Sequence, residues 1–158
     1  MKKFTMLVLL FVAITGCQDD DGTVVDTEPV EVDFENVEMG AVSGEALVEA
    51  NFVINTPTEW EDFKAYVNSA YDGSTPYVAL DGIAVDYEAY TVIAVVGPFW
   101  QNFGNTVEIS SIVANNVNLT VTGSISYPED EYVMPAHSQP YHIVKIPKTT
   151  LPVLFDIQ

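Results

Sequence analysis

The chain of 158 residues contains no arginine, and it has only five lysines but 23 acidic residues, which gives a formal net charge of −18. A protein this acidic repels phosphate backbones, so we expect no nucleic-acid partner. Without arginine, the chain also lacks the bidentate clamp that commonly holds phosphate or carboxylate substrates. The composition favours proteins with basic patches, cations or neutral glycans as partners.

Residues that usually carry catalysis or bind metals are also few. The two histidines, His137 and His142, are five positions apart, and this odd spacing would turn them to opposite faces of a strand. We interpret His142 as a strand residue with a local hydrogen bond. No serine lies in a G-x-S-x-G motif, and no complete D-x-D-x-D-G calcium loop occurs. The many acidic residues leave glycoside hydrolysis by a pair of carboxylates as an alternative, but no motif identifies the two residues. We therefore expect a non-catalytic protein with no metal site and no cofactor.

The N-terminus has the features of a secretory signal. Two lysines precede an uncharged apolar run over 6–14, which is too short to span a bilayer permanently. Residues 14–17, I-T-G-C, resemble the lipobox of bacterial lipoproteins, in which the peptide is cut before the cysteine and the cysteine is acylated. The resemblance implies a signal peptide at 1–16, cleavage after Gly16 and a lipid anchor on Cys17. Because this is the only cysteine, we expect no disulfide and no cysteine-ligated metal in the folded part.

An acidic segment follows the predicted anchor. Residues Gln18, Asp19, Asp20 and Asp21 resemble the surface-export signal of lipoproteins in some Gram-negative bacteria. The resemblance implies an outer-membrane lipoprotein exposed at the cell surface, with the periplasmic face as the alternative, and membrane contact through the lipid anchor only. The low apolar content and one-signed charge of residues 17–31 predict a disordered tether.

Residues 32–158 are predicted to form a single α+β domain dominated by strands, with a mostly antiparallel sheet packed against one main helix. The helix is predicted over 56–70, because Thr56, Pro57 and Glu59 have the spacing of a capping box with proline at the first helical position. The apolar run 90–96 has the composition of a central buried strand. Strands are predicted at 32–37, 47–54, 90–96, 106–113, 117–124, 141–146 and 153–157.

The connection G-P-F-W-Q-N-F-G-N at 97–105 carries three aromatic residues between two predicted strands. Either these rings fold back over the core, or they form an apolar tip that inserts into a partner, as aromatic anchors on rigid hairpins do. For the second interpretation the candidate partner-binding residues are Phe99, Trp100, Asn102, Phe103 and Gly104.

Four stretches carry a family resemblance: Y-T-V-I-A-V-V-G at 90–97, V-E-I-S-S-I at 107–112, L-T-V at 119–121 and Q-P-Y-H-I-V-K-I-P-K at 139–148. They are similar to the PrcB-like C-terminal domain, a family named after a lipoprotein subunit of a bacterial surface protease complex. The family loop usually runs P-T-G-G-Y, where this chain has Q-N-F-G-N at 101–105 and matches well only at Gly104. The resemblance covers about 85–148 and implies a non-catalytic accessory protein.

These observations predict a surface-exposed, lipid-anchored module that binds another protein, for example as an accessory subunit or modulator of a secreted or surface protease. A glycan- or ligand-binding surface lipoprotein is the alternative, because tryptophan and tyrosine rings can stack on a sugar. An unrecognised hydrolase is the third interpretation.

Overall fold

The computed structural model describes residues 28–70, 80–102, 104–128 and 137–158. Within them lie eight strands and one helix, in the order β1, β2, β3, α1, β4 to β8. The bounds are β1 Val30–Glu31, β2 Glu35–Val42, β3 Ala50–Ile54, α1 Pro57–Asn68, β4 Tyr90–Val96, β5 Thr106–Ala114, β6 Leu119–Ser126, β7 Gln139–Pro147 and β8 Val153–Ile157. No helix among these residues is long and apolar enough to cross a membrane.

The strands form two four-stranded sheets, with the orders β1-β5-β6-β8 and β2-β7-β4-β3. All pairings are antiparallel except the one between β6 and β8, which is parallel. Strand dominance and mostly antiparallel pairing are therefore confirmed. The fold is β-rich rather than a balanced α+β arrangement, because a second sheet, which the sequence did not predict, covers the face opposite the helix.

The sheet β2-β7-β4-β3 is the middle layer, and its two faces belong to two separate hydrophobic clusters. On one face Val92, Ala94 and Val96 of β4 pack in a cluster with the helix. On the other face Ile93 and Val95 pack in a cluster with β5 and β6. Because both faces of β4 are covered, every position from 92 to 96 is apolar. The prediction of a central buried strand is therefore confirmed.

Helix α1 begins and is capped as its sequence predicts. The Thr56 side chain accepts a hydrogen bond from the Glu59 amide at 3.2 Å, and Pro57 occupies the first helical position. The Glu59 carboxylate accepts from the Asn55 amide at 2.6 Å, one residue before the position expected for a capping box. Trp60, Phe63 and Val67 are buried against the middle sheet. The helix ends at Asn68, two residues before the predicted end.

The N-terminal part of the fold departs most from the prediction. The predicted first strand, 32–37, is replaced by β1 at 30–31 and by β2, which begins at Glu35. Strand β2 also runs through Gly40. A Cβ at Gly40 would lie 2.7 Å from the Tyr141 hydroxyl oxygen, so glycine is needed there for the tyrosine to cross the strand.

Several sequence predictions lie outside the described residues. These are the signal peptide with its cleavage at Gly16, the lipid attachment at Cys17, the export signal Gln18, Asp19, Asp20 and Asp21, and the partner-binding residue Phe103.

Candidate functional site

The connection between β4 and β5 is tied to the start of β7 by backbone hydrogen bonds. Trp100 and Ser138 form an isolated antiparallel bridge, in which each amide donates to the other residue's carbonyl at 2.8 and 2.9 Å. The Gly97 amide donates to the Pro140 carbonyl at 2.9 Å. The described part of the predicted loop is therefore held as an extension of the middle sheet, which fixes the position of the Trp100 backbone.

The buried side chain of Gln139 reinforces this attachment. Its amide nitrogen donates to the Gly97 carbonyl at 2.8 Å and to the Leu47 carbonyl at 3.1 Å. Its oxygen accepts from the Leu47 amide at 2.8 Å. One side chain thus joins the start of β7 to the end of β4 and to the segment before β3.

Two aromatic pairs lie on this attached connection. The rings of Trp100 and Tyr127 are 4.7 Å apart between centroids, and the two residues are 38% and 46% exposed. The rings of Phe99 and His137 are 5.0 Å apart. Tryptophan and tyrosine are enriched at interfaces, and exposed apolar residues that lie side by side can mark a binding site. Trp100 does not fold back over the core, unlike Trp60, which is 4% exposed.

The structure brings together three of the predicted partner-binding residues. Phe99, Trp100 and Asn102 line a shallow cavity of about 300 Å³ together with Gln101. Gly104 has φ +109°, a conformation that favours glycine, and a Cβ there would lie 3.5 Å from the Pro128 ring. Its backbone shapes the turn into β5, and Gly104 does not line that cavity.

A second cavity, of about 320 Å³, lies between the two sheets where β2 faces the start of β5. Its lining is mainly apolar or small, and it reaches the Trp100 bridge through Ser138. The lining residues are Met39, Gly40, Ala41, Gly104, Asn105, Thr106, Val107 and Ser138.

The two histidines have different environments. His142 on β7 is 3% exposed, and its Nδ1 accepts a hydrogen bond from the Ile109 amide at 2.8 Å, at the point where β5 has a bulge. The prediction of a local hydrogen bond was wrong: the bond joins the two sheets. Burial lowers the pKa of His142, and the nearby Glu108 opposes this effect without overcoming it. The imidazole is therefore neutral, with its proton on Nε2, which is buried and has no hydrogen-bond partner within the described part of the chain.

Tyr127, Ser138 and Gln139 also belong to this region, and none of them was among the predicted binding residues. Tyr127 follows a strand directly, and only the three-dimensional pairing of two distant connections places it beside Trp100. Gln139 lies just before the predicted strand 141–146, and none of its neighbours in the sequence indicates that its side chain is buried and hydrogen-bonded.

Two of the lysines form ion pairs. Of the lysines, Lys64 pairs with Glu61 at 2.9 Å and Lys145 with Glu35 at 2.9 Å. In the described ranges, no three histidine, cysteine or acidic residues are grouped so that they could hold a metal ion. Comparison with protein-family models, with characterised proteins and with solved structures found no match for this chain.

Proposed function

We propose that this protein is a lipid-anchored, surface-exposed, non-catalytic module that binds another protein through the connection between β4 and β5. The observation that carries the proposal is the Trp100–Tyr127 pair: both side chains stay half-exposed, and the backbone of Trp100 is fixed by its bridge to Ser138. Interface anchors are typically aromatic side chains presented on a rigid backbone, because little conformational entropy is lost when they bind.

The net charge of the chain indicates which kind of surface its partner has. With 23 acidic residues and five lysines, the protein attracts a partner whose surface is basic around the site of contact. Together with the PrcB-like resemblance, this supports an accessory subunit or modulator of a secreted or surface protease. The lipobox-like I-T-G-C segment supports anchoring in the outer membrane through Cys17, and the acidic segment after it supports export to the outer surface.

The test uses the full-length chain with a C-terminal tag, crosslinked in its native cells and purified from membranes. Trp100→Ala is compared with wild type and with the control Val117→Ala. Val117 is 67% exposed in the turn between β5 and β6, at the end of that hairpin opposite to Trp100. We expect wild type and Val117→Ala to retain the same companion in stoichiometric amount. Trp100→Ala should lose about 2 kcal/mol or more of binding free energy, which is roughly a 30-fold loss of affinity for the purified companion.

Binding that is equal for wild type and Trp100→Ala would remove this surface from the proposal. A companion that is a protease would identify the protein as an accessory subunit or modulator, and inhibition or activation assays with the same variants would follow.

Glycan binding is the second candidate, supported by the shallow cavity beside Trp100. Aromatic rings with neighbouring side-chain amides are suited to sugars, and Gln101 and Asn102 line that cavity together with Phe99 and Trp100. A glycan array with wild type and Trp100→Ala separates the two functions: specific signals that Trp100→Ala abolishes would favour the glycan-binding module.

A further inference from the structure

Strand β8, Val153–Ile157, lies at one edge of the sheet β1-β5-β6-β8, and within the described ranges no strand pairs with its outer side. Its pairing with β6 determines which backbone groups face outward. The Leu119 amide donates to the Pro152 carbonyl at 2.9 Å, and the Gln158 amide donates to the Gly123 carbonyl at 3.1 Å. Residues 152, 154, 156 and 158 therefore face β6. Because the direction alternates along a strand, the amides and carbonyls of 153, 155 and 157 point away from the sheet.

The other three edge strands are short, bent or capped, which are ways in which natural sheets prevent further pairing. Strand β1 has only two residues, and β2 contains a bulge between Asn36 and Glu38. At the end of β3 the Asn55 amide donates to the Glu59 carboxylate, and the Asn55 carbonyl accepts from Lys148. Strand β8 contains no proline, lysine or bulge, so it is the edge to which a further strand adds most readily.

The side chains of β8 indicate what such a strand contains. Val153, Phe155 and Ile157 are half-buried and pack against the cluster between the two sheets, so an added strand would place apolar side chains beside them. On the outer face of the sheet, Leu154 is 52% exposed and Asp156 is also exposed. A strand in which apolar and basic side chains alternate therefore complements β8 on both faces.

The net charge favours a basic partner over a second copy of this chain. Asp156 is the only charged residue of β8, and the whole chain carries a formal charge of −18. A second copy would bring the same negative charge to the edge, whereas a basic segment is attracted to it.

We propose that the outer edge of β8 binds an extended, basic segment of another protein as a fifth strand of this four-stranded sheet. The backbone groups of 153, 155 and 157 hold the added strand by hydrogen bonds, and a basic side chain of that strand lies beside Asp156. This site is separate from the Trp100–Tyr127 pair and does not depend on the function proposed above.

The test uses peptides that differ only in which backbone amides are blocked. The probe is the capped peptide S-K-V-K-V-K-V-K-S. One isomer is N-methylated at the backbone of its three valines, and the other at the backbone of three of its lysines. In an added strand the amides of alternate residues face β8 and the rest face solvent. Strand addition is therefore blocked in one isomer and retained in the other, although both carry the same charge.

Hydrogen exchange of the backbone amides reports the pairing directly. The ¹⁵N-labelled full-length chain is held in nanodiscs of zwitterionic lipid. Without peptide, we expect the amides of 153, 155 and 157 to exchange rapidly and those of 154 and 156 slowly. A saturating amount of the unmodified peptide, or of one methylated isomer, should slow exchange at 153, 155 and 157 by about tenfold or more. The peptide with glutamate in place of lysine should not.

Phe155→Pro is the variant that blocks the edge. Proline removes an amide that faces outward, so no bond to β6 is lost, and its ring obstructs an added strand. Phe155→Ala is the matched control, because it loses the same aromatic ring but keeps the amide. We expect Phe155→Pro to bind the peptide about tenfold more weakly than Phe155→Ala. If Phe155→Pro fails to fold, as judged from its amide spectrum, the two methylated isomers on wild type still decide.

The proposal is overturned if the unmodified peptide leaves exchange at 153, 155 and 157 unchanged, or if the two methylated isomers act alike. Equal protection by the glutamate peptide would also overturn it, because charge would then play no part in the choice of partner. Slow exchange at these amides without peptide would show that the edge is already covered. In that case a dimer in analytical ultracentrifugation would assign the edge to a second copy, and a monomer would assign it to another part of the chain; either result overturns the proposal.

Discussion

The buried hydrogen bond between His142 and Ile109 predicts that mild acid weakens the fold. His142 Nδ1 accepts from the Ile109 amide at 2.8 Å, in a residue only 3% exposed. Protonation would replace this acceptor with a donor and would place a charge between two apolar sheets. The Ile109 amide would then lose its partner, and a buried donor left unsatisfied costs about 1–3 kcal/mol.

The direction of the pH dependence follows from the lowered pKa of His142. In the unfolded chain a histidine has a pKa of about 6.5, so above that pH it is neutral in both states and its full contribution to stability is present. Below that pH the unfolded chain binds a proton that the folded protein resists. The free energy of unfolding therefore falls, by at most about 1.4 kcal/mol per pH unit, until the pH reaches the lowered pKa of the folded state.

The matched variant is His142→Asn, which cannot titrate and keeps an acceptor close to the position of Nδ1. Its free energy of unfolding is measured beside wild type by urea denaturation from pH 8 to pH 5. We expect the variant to be less stable at pH 8, because packing is lost, and to show a shallower decline below about pH 6.5. Parallel curves for the two proteins over this range would refute the assignment of the acid sensitivity to His142.

Three further substitutions test the attachment of the β4–β5 connection and the start of the helix, each by chemical denaturation. Gln139→Leu removes the three hydrogen bonds to Leu47 and Gly97 and leaves buried backbone groups unpaired. We therefore expect the free energy of unfolding to fall by about 1–3 kcal/mol or more. An unchanged denaturation midpoint would contradict the role given to this side chain. Gly104→Ala places a side chain at φ +109° and should destabilise the fold by about 1 kcal/mol or more, whereas stabilisation would show that the backbone relaxes there. Thr56→Ala removes the acceptor of the first helical turn and should cost about 1 kcal/mol, with Thr56→Ser as the control that retains it.

The local features of the fold could be predicted because neighbouring residues determine them. The capping residues Thr56 and Pro57 locate the start of the helix, and the uninterrupted apolar run of β4 predicts a strand buried on both faces. Strand β8 was also placed with the correct bounds, Val153–Ile157.

The pairing of distant segments could not be predicted in the same way. Nothing in the residues of β8 indicates that it pairs in parallel with β6, since the partner is set by the path of the whole chain. The place of Gly40 in β2 depends on the tyrosine that crosses it from β7. His142 likewise acquired its role from a bulge in β5, which lies 33 residues earlier in the chain.

The candidate site likewise has a part that could be predicted from the sequence and a part that could not. The aromatic residues of the 97–105 connection were visible in the sequence, so Phe99, Trp100 and Asn102 could be selected. Trp100 also contacts the ring of Tyr127 and forms a bridge to Ser138. These residues belong to connections that meet only in the folded protein. Long-range contacts of this kind leave no local signal in a single sequence.

The central claim is that the protein binds a protein partner through the Trp100–Tyr127 pair, and site-specific photo-crosslinking tests it most directly. A photoreactive phenylalanine analogue replaces Trp100, Tyr127 or, as the control, Val117 in the full-length chain in its native cells. The account predicts that positions 100 and 127 crosslink to the same single protein and that position 117 does not. Crosslinks to unrelated proteins from all three positions, or none from positions 100 and 127, would contradict it.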